Sequence, residues 1–147
     1  MSYARPDLEV STVRLNAMRA LYLLITVGMG SIIWPLMFRH GDWSVMHSVA
    51  SSMLAALTLC TVLGVRYPLQ MLPLLLFELA WKAIWLLMIA LPLWRSNQLT
   101  PEAMSTVRDC IPGVILCPLV IPWKYVWKHY VRLPGDRWRT AVAPAVV

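Results

Sequence analysis

Long, almost uncharged segments constrain the fold of this chain more than any other feature. Residues 17–38, 44–65 and 69–94 contain only three charged side chains between them. Each segment is at least as long as the roughly 20 residues that a helix needs to cross the hydrocarbon core of a membrane. Charged residues make up 14% of the chain, against about 25% in a typical soluble domain. The sequence therefore predicts membrane-spanning helices and not a water-soluble core.

A fourth apolar segment, residues 111–131, is interrupted by prolines and lysines. It is still predicted to span the membrane, because neighbouring helices can satisfy the backbone groups that a proline frees. Before this segment, Thr100 precedes Pro101 and Glu102, a combination of cap, first-turn proline and first-turn acid that favours a helix start. We therefore expect a separate helix over residues 101–110 on the outer surface.

The whole chain, residues 1–147, is expected to be one all-α integral membrane domain, a four-helix bundle with antiparallel, up-and-down topology. Short loops are predicted between the helices, and residues 139–147 are predicted to be a flexible tail. The first apolar segment is longer than the apolar part of a signal peptide, and no small-residue cleavage site follows it. We therefore predict that it is the first membrane helix.

The distribution of Lys and Arg predicts the orientation of the helices. With four crossings, nine of these side chains fall on the side of both termini, and three, Arg39, Arg95 and Arg108, fall on the other side. Because cytoplasmic loops carry the excess of Lys and Arg, both termini are predicted to be cytoplasmic. We expect a multi-pass protein of a bacterial inner membrane. Its basic C-terminal segment is predicted to contact anionic membrane lipid and not nucleic acid.

Two ionisable residues lie in the middle of the third segment. Glu78 and Lys82 are four residues apart, in the order that favours an ion pair on one helix. Because an isolated charge at this depth is costly, both side chains are predicted to point into the bundle. Two interpretations remain open: a site for a ligand, ion or proton, or a structural pair that fixes the rotation of the helix.

Other polar and aromatic residues are candidates for the same site. Trp81 and Trp85 are predicted to wall the pair, since a cation over an indole face gains about 0.5–2 kcal/mol. His47, Arg108 and Asp109 are predicted near the outer ends of their helices, where they would line an outward-facing pocket above the pair. The alternative is that the histidine makes only local hydrogen bonds and that the other two side chains face water at the interface.

Small residues on the first two helices indicate packing surfaces. Gly28 and Gly30 lie in one helix, and Ser48 and Ser52 share a face of the next helix. Because lipid removes the hydrophobic drive between helices, small side chains that allow close approach favour association. These surfaces support an alternative function, that of a homo-oligomer or an accessory subunit of a larger membrane complex.

The sequence contains no recognisable pattern for catalysis or metal binding. The three cysteines, Cys60, Cys110 and Cys117, form no C-x-x-C pair and no zinc spacing. Neither a Ser-His-Asp arrangement nor a phosphate-binding loop is visible, and no pair of histidines suits a haem. We therefore predict no metal and no cofactor, and binding is favoured over catalysis.

Residues 66–94, RYPLQMLPLLLFELAWKAIWLLMIALPLW, resemble a group of small four-helix membrane proteins of proteobacteria that has no assigned function. The resemblance extends over nearly the whole chain, including IPWKYVWKHYVRLPGDRW at residues 121–138. It implies a four-helix fold and brings no activity with it. The architecture is also similar, more loosely, to that of DoxX-like proteins, but no motif residues match.

These patterns predict that the protein binds a small or lipid-like anionic ligand. An extension of this prediction is that the protein also transports the ligand. Lys82 would hold the anionic group, and Glu78 would tune its charge or relay a proton. The two tryptophans, Trp81 and Trp85, would stack on the apolar part of the ligand.

Overall fold

The computed structural model describes residues 10–39, 41 and 43–133, which contain helices and no strand. Four helices are long and apolar enough to cross a membrane: α1 (Thr12–Phe38), α2 (Val45–Arg66), α3 (Leu72–Arg95) and α4 (Pro101–Val120). A shorter helix, α5, consists of Trp123–Val126 and the π-helical turn Trp127–Arg132. The predicted all-α fold with four long apolar helices is confirmed. The up-and-down topology and the side on which the termini lie stay predictions, and the predicted tail over residues 139–147 lies outside the described residues.

Polar residues begin three of the long helices. The side-chain oxygens of Ser11, Ser44 and Thr100 each accept a hydrogen bond from the backbone N–H three residues later, at 3.4, 3.2 and 3.2 Å. Each bond satisfies a donor that has no partner within the first turn of its helix. The cap at Ser11 explains why α1 begins at Thr12, ahead of the apolar run that starts at residue 17.

The last long helix ends at a different place from the one predicted. The expected surface helix over residues 101–110 is instead the first half of α4, and the expected spanning helix over residues 111–131 is divided between α4 and α5. The chain leaves the helix at Ile121, with φ −58° and ψ 126°, directly before Pro122. A proline disfavours the α conformation of the residue before it by steric clash, and Ile121 takes the extended conformation instead.

The four long helices pack as two pairs. α1 lies along α2 for its whole length, and α3 lies along α4 as far as Ala90. The pairs meet where Thr12–Leu24 of α1 contacts α4 and where Leu72–Trp85 of α3 contacts α2. Among the described residues, the second half of α1 has no close backbone contact with α3 or α4. The two helix pairs therefore contact each other at the end of the bundle that carries Tyr67, which we call the Tyr67 end. They are separated at the opposite end, which we call the Pro101 end.

The main apolar cluster of the core lies toward the Tyr67 end. Met18, Tyr22 and Leu72 belong to it and are fully buried. The Tyr22 hydroxyl donates a hydrogen bond to the carbonyl of Pro68 at 3.1 Å, so this buried polar group has a partner. The Tyr22 ring lies against Gly64 of α2, where an added Cβ would be 2.6 Å from its Cγ. Gly64 thus allows close packing of α1 and α2.

Polar contacts between α1 and α2 continue toward the Pro101 end. The hydroxyls of Thr26 and Thr61 are 2.9 Å apart, and Trp34 Nε1 donates to Thr58 Oγ1 at 3.1 Å. Hydrogen bonds between membrane helices contribute about 0.6 kcal/mol each on average. Gly30 is buried beside the same threonine. A Cβ added at Gly30 would lie 3.9 Å from Thr58 Cβ. Gly30 therefore lies at the contact between α1 and α2, and its role in packing stays a prediction.

Candidate ligand-binding cavity

Glu78 and Lys82 form a buried ion pair on α3. Lys82 Nζ lies 2.5 Å from Glu78 Oε1, and the two side chains are 7% and 1% exposed, respectively. Glu78 Oε1 has this ion-pair contact but no hydrogen-bond partner. The other carboxylate oxygen, Oε2, accepts a hydrogen bond from Trp81 Nε1 at 2.6 Å. Both oxygens thus face a positively polarised group of the same helix.

Trp81 contacts both members of the pair. Besides its hydrogen bond to the carboxylate, its ring centroid lies 5.4 Å from Lys82 Nζ. This distance is within the range of about 6 Å in which an aromatic face attracts a cation. The predicted role of Trp81 as a wall of the pair agrees with this geometry.

The pair lies near the middle of α3. At 1.5 Å per residue, Glu78 is roughly 9 Å and Lys82 roughly 15 Å from the start of the helix at Leu72. Each side chain is buried by protein and does not reach the surface of the bundle. The prediction that both charges point into the bundle is therefore confirmed.

Gly113 of α4 provides the space that the lysine occupies. A Cβ added at Gly113 would lie 2.7 Å from Lys82 Nζ and 2.9 Å from Lys82 Cδ. Both distances are shorter than any van der Waals contact allows, so only glycine fits here without movement of the lysine. Gly113 was not predicted from the sequence as part of the site, although a glycine inside an apolar helical segment indicates a close approach of another group.

A cavity of about 460 Å³ lies between the two helix pairs, beside the charged pair. α1 forms an apolar wall with residues that share one face of the helix, among them Leu24, Ile25, Met29, Ile32 and Ile33. α3 and α4 form the opposite wall, which carries the polar side chains: Glu78, Trp81, Lys82, Thr106, Arg108 and Asp109. The cavity is thus apolar on one side and charged on the other.

Five of the seven predicted ligand-binding residues line this cavity. Besides Glu78, Lys82 and Trp81, they include Arg108 and Asp109 of α4, whose side chains are exposed. Arg108 lies five residues before the glycine that faces the lysine, which places it roughly 7 to 8 Å closer to the Pro101 end. The polar wall therefore extends from the middle of the bundle toward that end.

The other two predicted residues are elsewhere. His47 is exposed, and its ring packs edge-on against Trp43 with the ring centroids 4.7 Å apart. Trp85 is partly buried but does not line the cavity. Trp85 does not line the cavity because the cavity opens on the Trp81 side of the lysine. His47 does not line it because α2 diverges from the polar wall before it reaches His47.

The predicted packing residues also have different environments. Gly28 lines the cavity, and a Cβ added there would meet only Leu24 Cδ1, at 4.0 Å. Ser48 and Ser52 donate hydrogen bonds to backbone carbonyls of their own helix, at 2.7 and 2.8 Å. Oligomerisation through this face of α2 stays a prediction.

Two thiols lie close to the charged pair. Cys110 and Cys117 of α4 are fully buried, carry no disulfide and line the cavity, whereas Cys60 is exposed. A buried thiol of this kind behaves as a small apolar side chain. Within the described part of the chain, no group of three His, Cys, Asp or Glu residues is placed to hold a metal ion.

Comparisons with known proteins give no relative of this chain: no protein family model matches it, and no curated protein or solved structure is significantly similar. The resemblance to small proteobacterial membrane proteins therefore stays a prediction.

Proposed function

We propose that this integral membrane protein binds an anionic, lipid-like amphiphile in the cavity between its two helix pairs. The observation that carries the proposal is the buried ammonium group of Lys82 on the cavity wall. An ammonium group has three N–H donors, and among the described residues its one charged partner is Glu78, which makes no hydrogen bond to it. Because Lys82 lines the cavity, a ligand with carboxylate or phosphate oxygens can accept charge-assisted hydrogen bonds from these donors.

The apolar wall of α1 accounts for the other half of the ligand. The cavity has a volume of about 460 Å³, which lies in the range of roughly 300–1,000 Å³ that is typical of small-molecule sites. An amphiphile with one chain would place its acid against α3 and α4 and its hydrocarbon against α1. This orientation matches polar with polar surface and apolar with apolar surface.

The division of the bundle supports entry from the lipid. Leu24 and Ile32 line the cavity, yet they are 54% and 63% exposed. From Ile25 onward, α1 is separated from α3 and α4. A membrane-dissolved ligand can enter sideways through this gap. Arg108, closer to the Pro101 end, would attract the acid first, and Lys82 would then hold it.

Transport across the membrane would need a second opening. At the Tyr67 end the path is blocked by fully buried side chains, Tyr22 and Leu72 among them. The described conformation thus supports binding from one side, and transport would require the helix pairs to separate at the Tyr67 end.

A binding measurement on the full chain in nanodiscs tests the proposal. The probes are oleate and lysophosphatidylglycerol as acids, with lysophosphatidylcholine as the zwitterionic comparison. We expect the variant Lys82→Met to bind both acids roughly 10- to 100-fold more weakly, the usual loss for a charge-assisted hydrogen bond. Arg39→Met removes an equal charge from an exposed position at the end of α1 and should leave binding unchanged.

A second variant guards against an effect of misfolding. Glu78→Gln combined with Lys82→Met removes both buried charges and leaves neither unpaired. We expect it to remain folded and to have lost the preference for acids. Equal affinity of this variant and the unaltered protein for oleate would refute the proposal, as would the absence of any probe binding to the unaltered protein.

The alternative function, an accessory or oligomerising subunit, has one specific observation in its favour. Ser52 and Ala56 are four residues apart on α2 and both exposed, so they form a small-residue face that no described helix covers. The mass of the protein after mild extraction separates the two functions. A stable assembly that Ser52→Leu disrupts, with no bound amphiphile, would favour the alternative.

A further inference from the structure

α5 presents two adjacent stripes of side chains at the Tyr67 end. Lys124, Lys128 and Arg132 follow one another at a spacing of four residues, and all three are exposed. A spacing of four is close to one turn of either α-helical or π-helical backbone, so these cations share one face of the helix. We call this face the basic stripe.

Exposed aromatic side chains lie beside the basic stripe. Trp123 and Trp127 are 45% and 56% exposed, and Tyr130 is 50% exposed. Tryptophan and tyrosine are enriched at the boundary between membrane and water, where an apolar ring and a polar N–H or O–H group are both accommodated. Their exposure on a short helix at one end of a membrane bundle indicates that boundary.

The remaining face of α5 attaches it to the rest of the protein. Tyr125 and Val126 pack against the main apolar cluster, and the rings of Tyr125 and His129 stack with centroids 3.9 Å apart. Trp123 Nε1 donates a hydrogen bond to the carbonyl of Pro118, near the end of α4, at 2.8 Å. The two stripes are therefore held in a defined position relative to the spanning helices.

We propose that α5 is an interfacial helix that binds the phosphate groups of anionic phospholipids. A helix with aromatic residues on one face and Lys or Arg on the next lies in the plane of the membrane surface. The rings enter the headgroup region, and the cations face the phosphates. Arg14, exposed on α1 and hydrogen-bonded to the carbonyl of Leu119 at 3.5 Å, adds a cation at the same end.

This inference is independent of the cavity. Its ligand is a headgroup at the membrane surface, held by exposed cations, whereas the cavity ligand is held by a buried lysine in the middle of the bundle. Charges near an anionic membrane surface attract it, and the attraction falls with salt. The effect is therefore measurable as a salt-dependent preference for anionic lipid.

The test uses the full chain in phosphatidylcholine vesicles with spin-labelled phosphatidylglycerol or phosphatidylcholine as the probe. We expect the unaltered protein to prefer the phosphatidylglycerol probe at low ionic strength and to lose most of this preference at high salt. The double variant Lys124→Gln with Arg132→Gln should lower the preference at least roughly threefold, given the contribution of each surface cation.

A matched variant controls for net charge. Arg39→Gln with Arg95→Gln also removes two exposed cations, from the Pro101 end, and should leave the preference unchanged. The α5 variant should keep its affinity for oleate, which has no phosphate group, so a failure of the cavity proposal is distinguishable from a failure of this one. The inference is overturned if the α5 variant keeps the full preference, or if the Pro101-end variant lowers it equally.

Discussion

The Lys82 side chain lies against Gly113, and this contact couples the charged pair on α3 to the backbone of α4. The lysine is held from two directions, by the carboxylate of Glu78 on its own helix and by the glycine on the neighbouring helix. A side chain at this position of α4 would therefore displace the ammonium group from its observed place. The site depends on a glycine that itself has no polar group to offer.

Replacement of this glycine should displace the lysine. In Gly113→Ala, the added Cβ would be 2.7 Å from Nζ, so the lysine must move away from its position beside Glu78. We expect a loss of about 1–3 kcal/mol in the free energy of unfolding, the usual cost of overpacking. The affinity for oleate should fall with it. Unfolding of the protein in mixed micelles by a denaturing detergent measures the first effect.

The control for this variant is Gly28→Ala, which changes another glycine of the same cavity. Its Cβ would meet only Leu24, at the ordinary distance of 4.0 Å. Because alanine is favoured over glycine within helices by up to about 1 kcal/mol, the control should be as stable as the unaltered protein or slightly more stable. Equal stability of the two variants would contradict the assigned role of Gly113.

The charged pair should behave as a unit in stability measurements. Glu78→Gln or Lys82→Met alone leaves the other group buried and without its partner, which costs about 3–5 kcal/mol in comparable cases. The double variant removes both charges and should cost clearly less than the sum of the two single changes. A double-mutant cycle in mixed micelles gives the difference directly. If the effects of the single variants simply add, the pair contributes no coupling, and its proposed role in holding the lysine is wrong.

The four long helices could be predicted from the sequence because their cause is local. Segment length and the near absence of charge decide whether a helix can cross a membrane, and both can be read from consecutive residues. The ion pair is equally local, since a spacing of four places Glu78 and Lys82 together on any α-helix. The caps at Ser44 and Thr100 belong to the same class.

The cavity could be predicted only in part because its shape depends on how distant helices separate. The contact between Lys82 and Gly113 joins residues of different helices, and no pattern along the chain specifies it. The same reason explains why Trp85, which was predicted to wall the pair, does not line the cavity. Spacing shows which residues share a face, but the direction of the gap between the helix pairs decides which of them face the cavity.

The break after α4 shows a second limit of local patterns. Three prolines lie in the last apolar segment, and each could have ended a helix. Pro112 and Pro118 are accommodated inside α4, whereas the chain turns before Pro122. At that point Ile121 is fully buried in the main apolar cluster. The helix thus ends at the proline whose preceding residue packs against the other helices. No local sequence pattern indicates this packing.

Gly64 and Tyr22 provide a test of the closed end of the bundle. In Gly64→Ala, the added Cβ would lie 2.6 Å from Cγ of the fully buried Tyr22 ring, which cannot move without disturbing its hydrogen bond to Pro68. We expect a loss of about 1–3 kcal/mol in the free energy of unfolding in mixed micelles, from overpacking at this contact. Gly30→Ala, whose Cβ would be 3.7 Å from its nearest neighbour on Trp34, should lose little or nothing. If both variants were equally stable, close contact between α1 and α2 at Gly64 would not be what holds the Tyr67 end together.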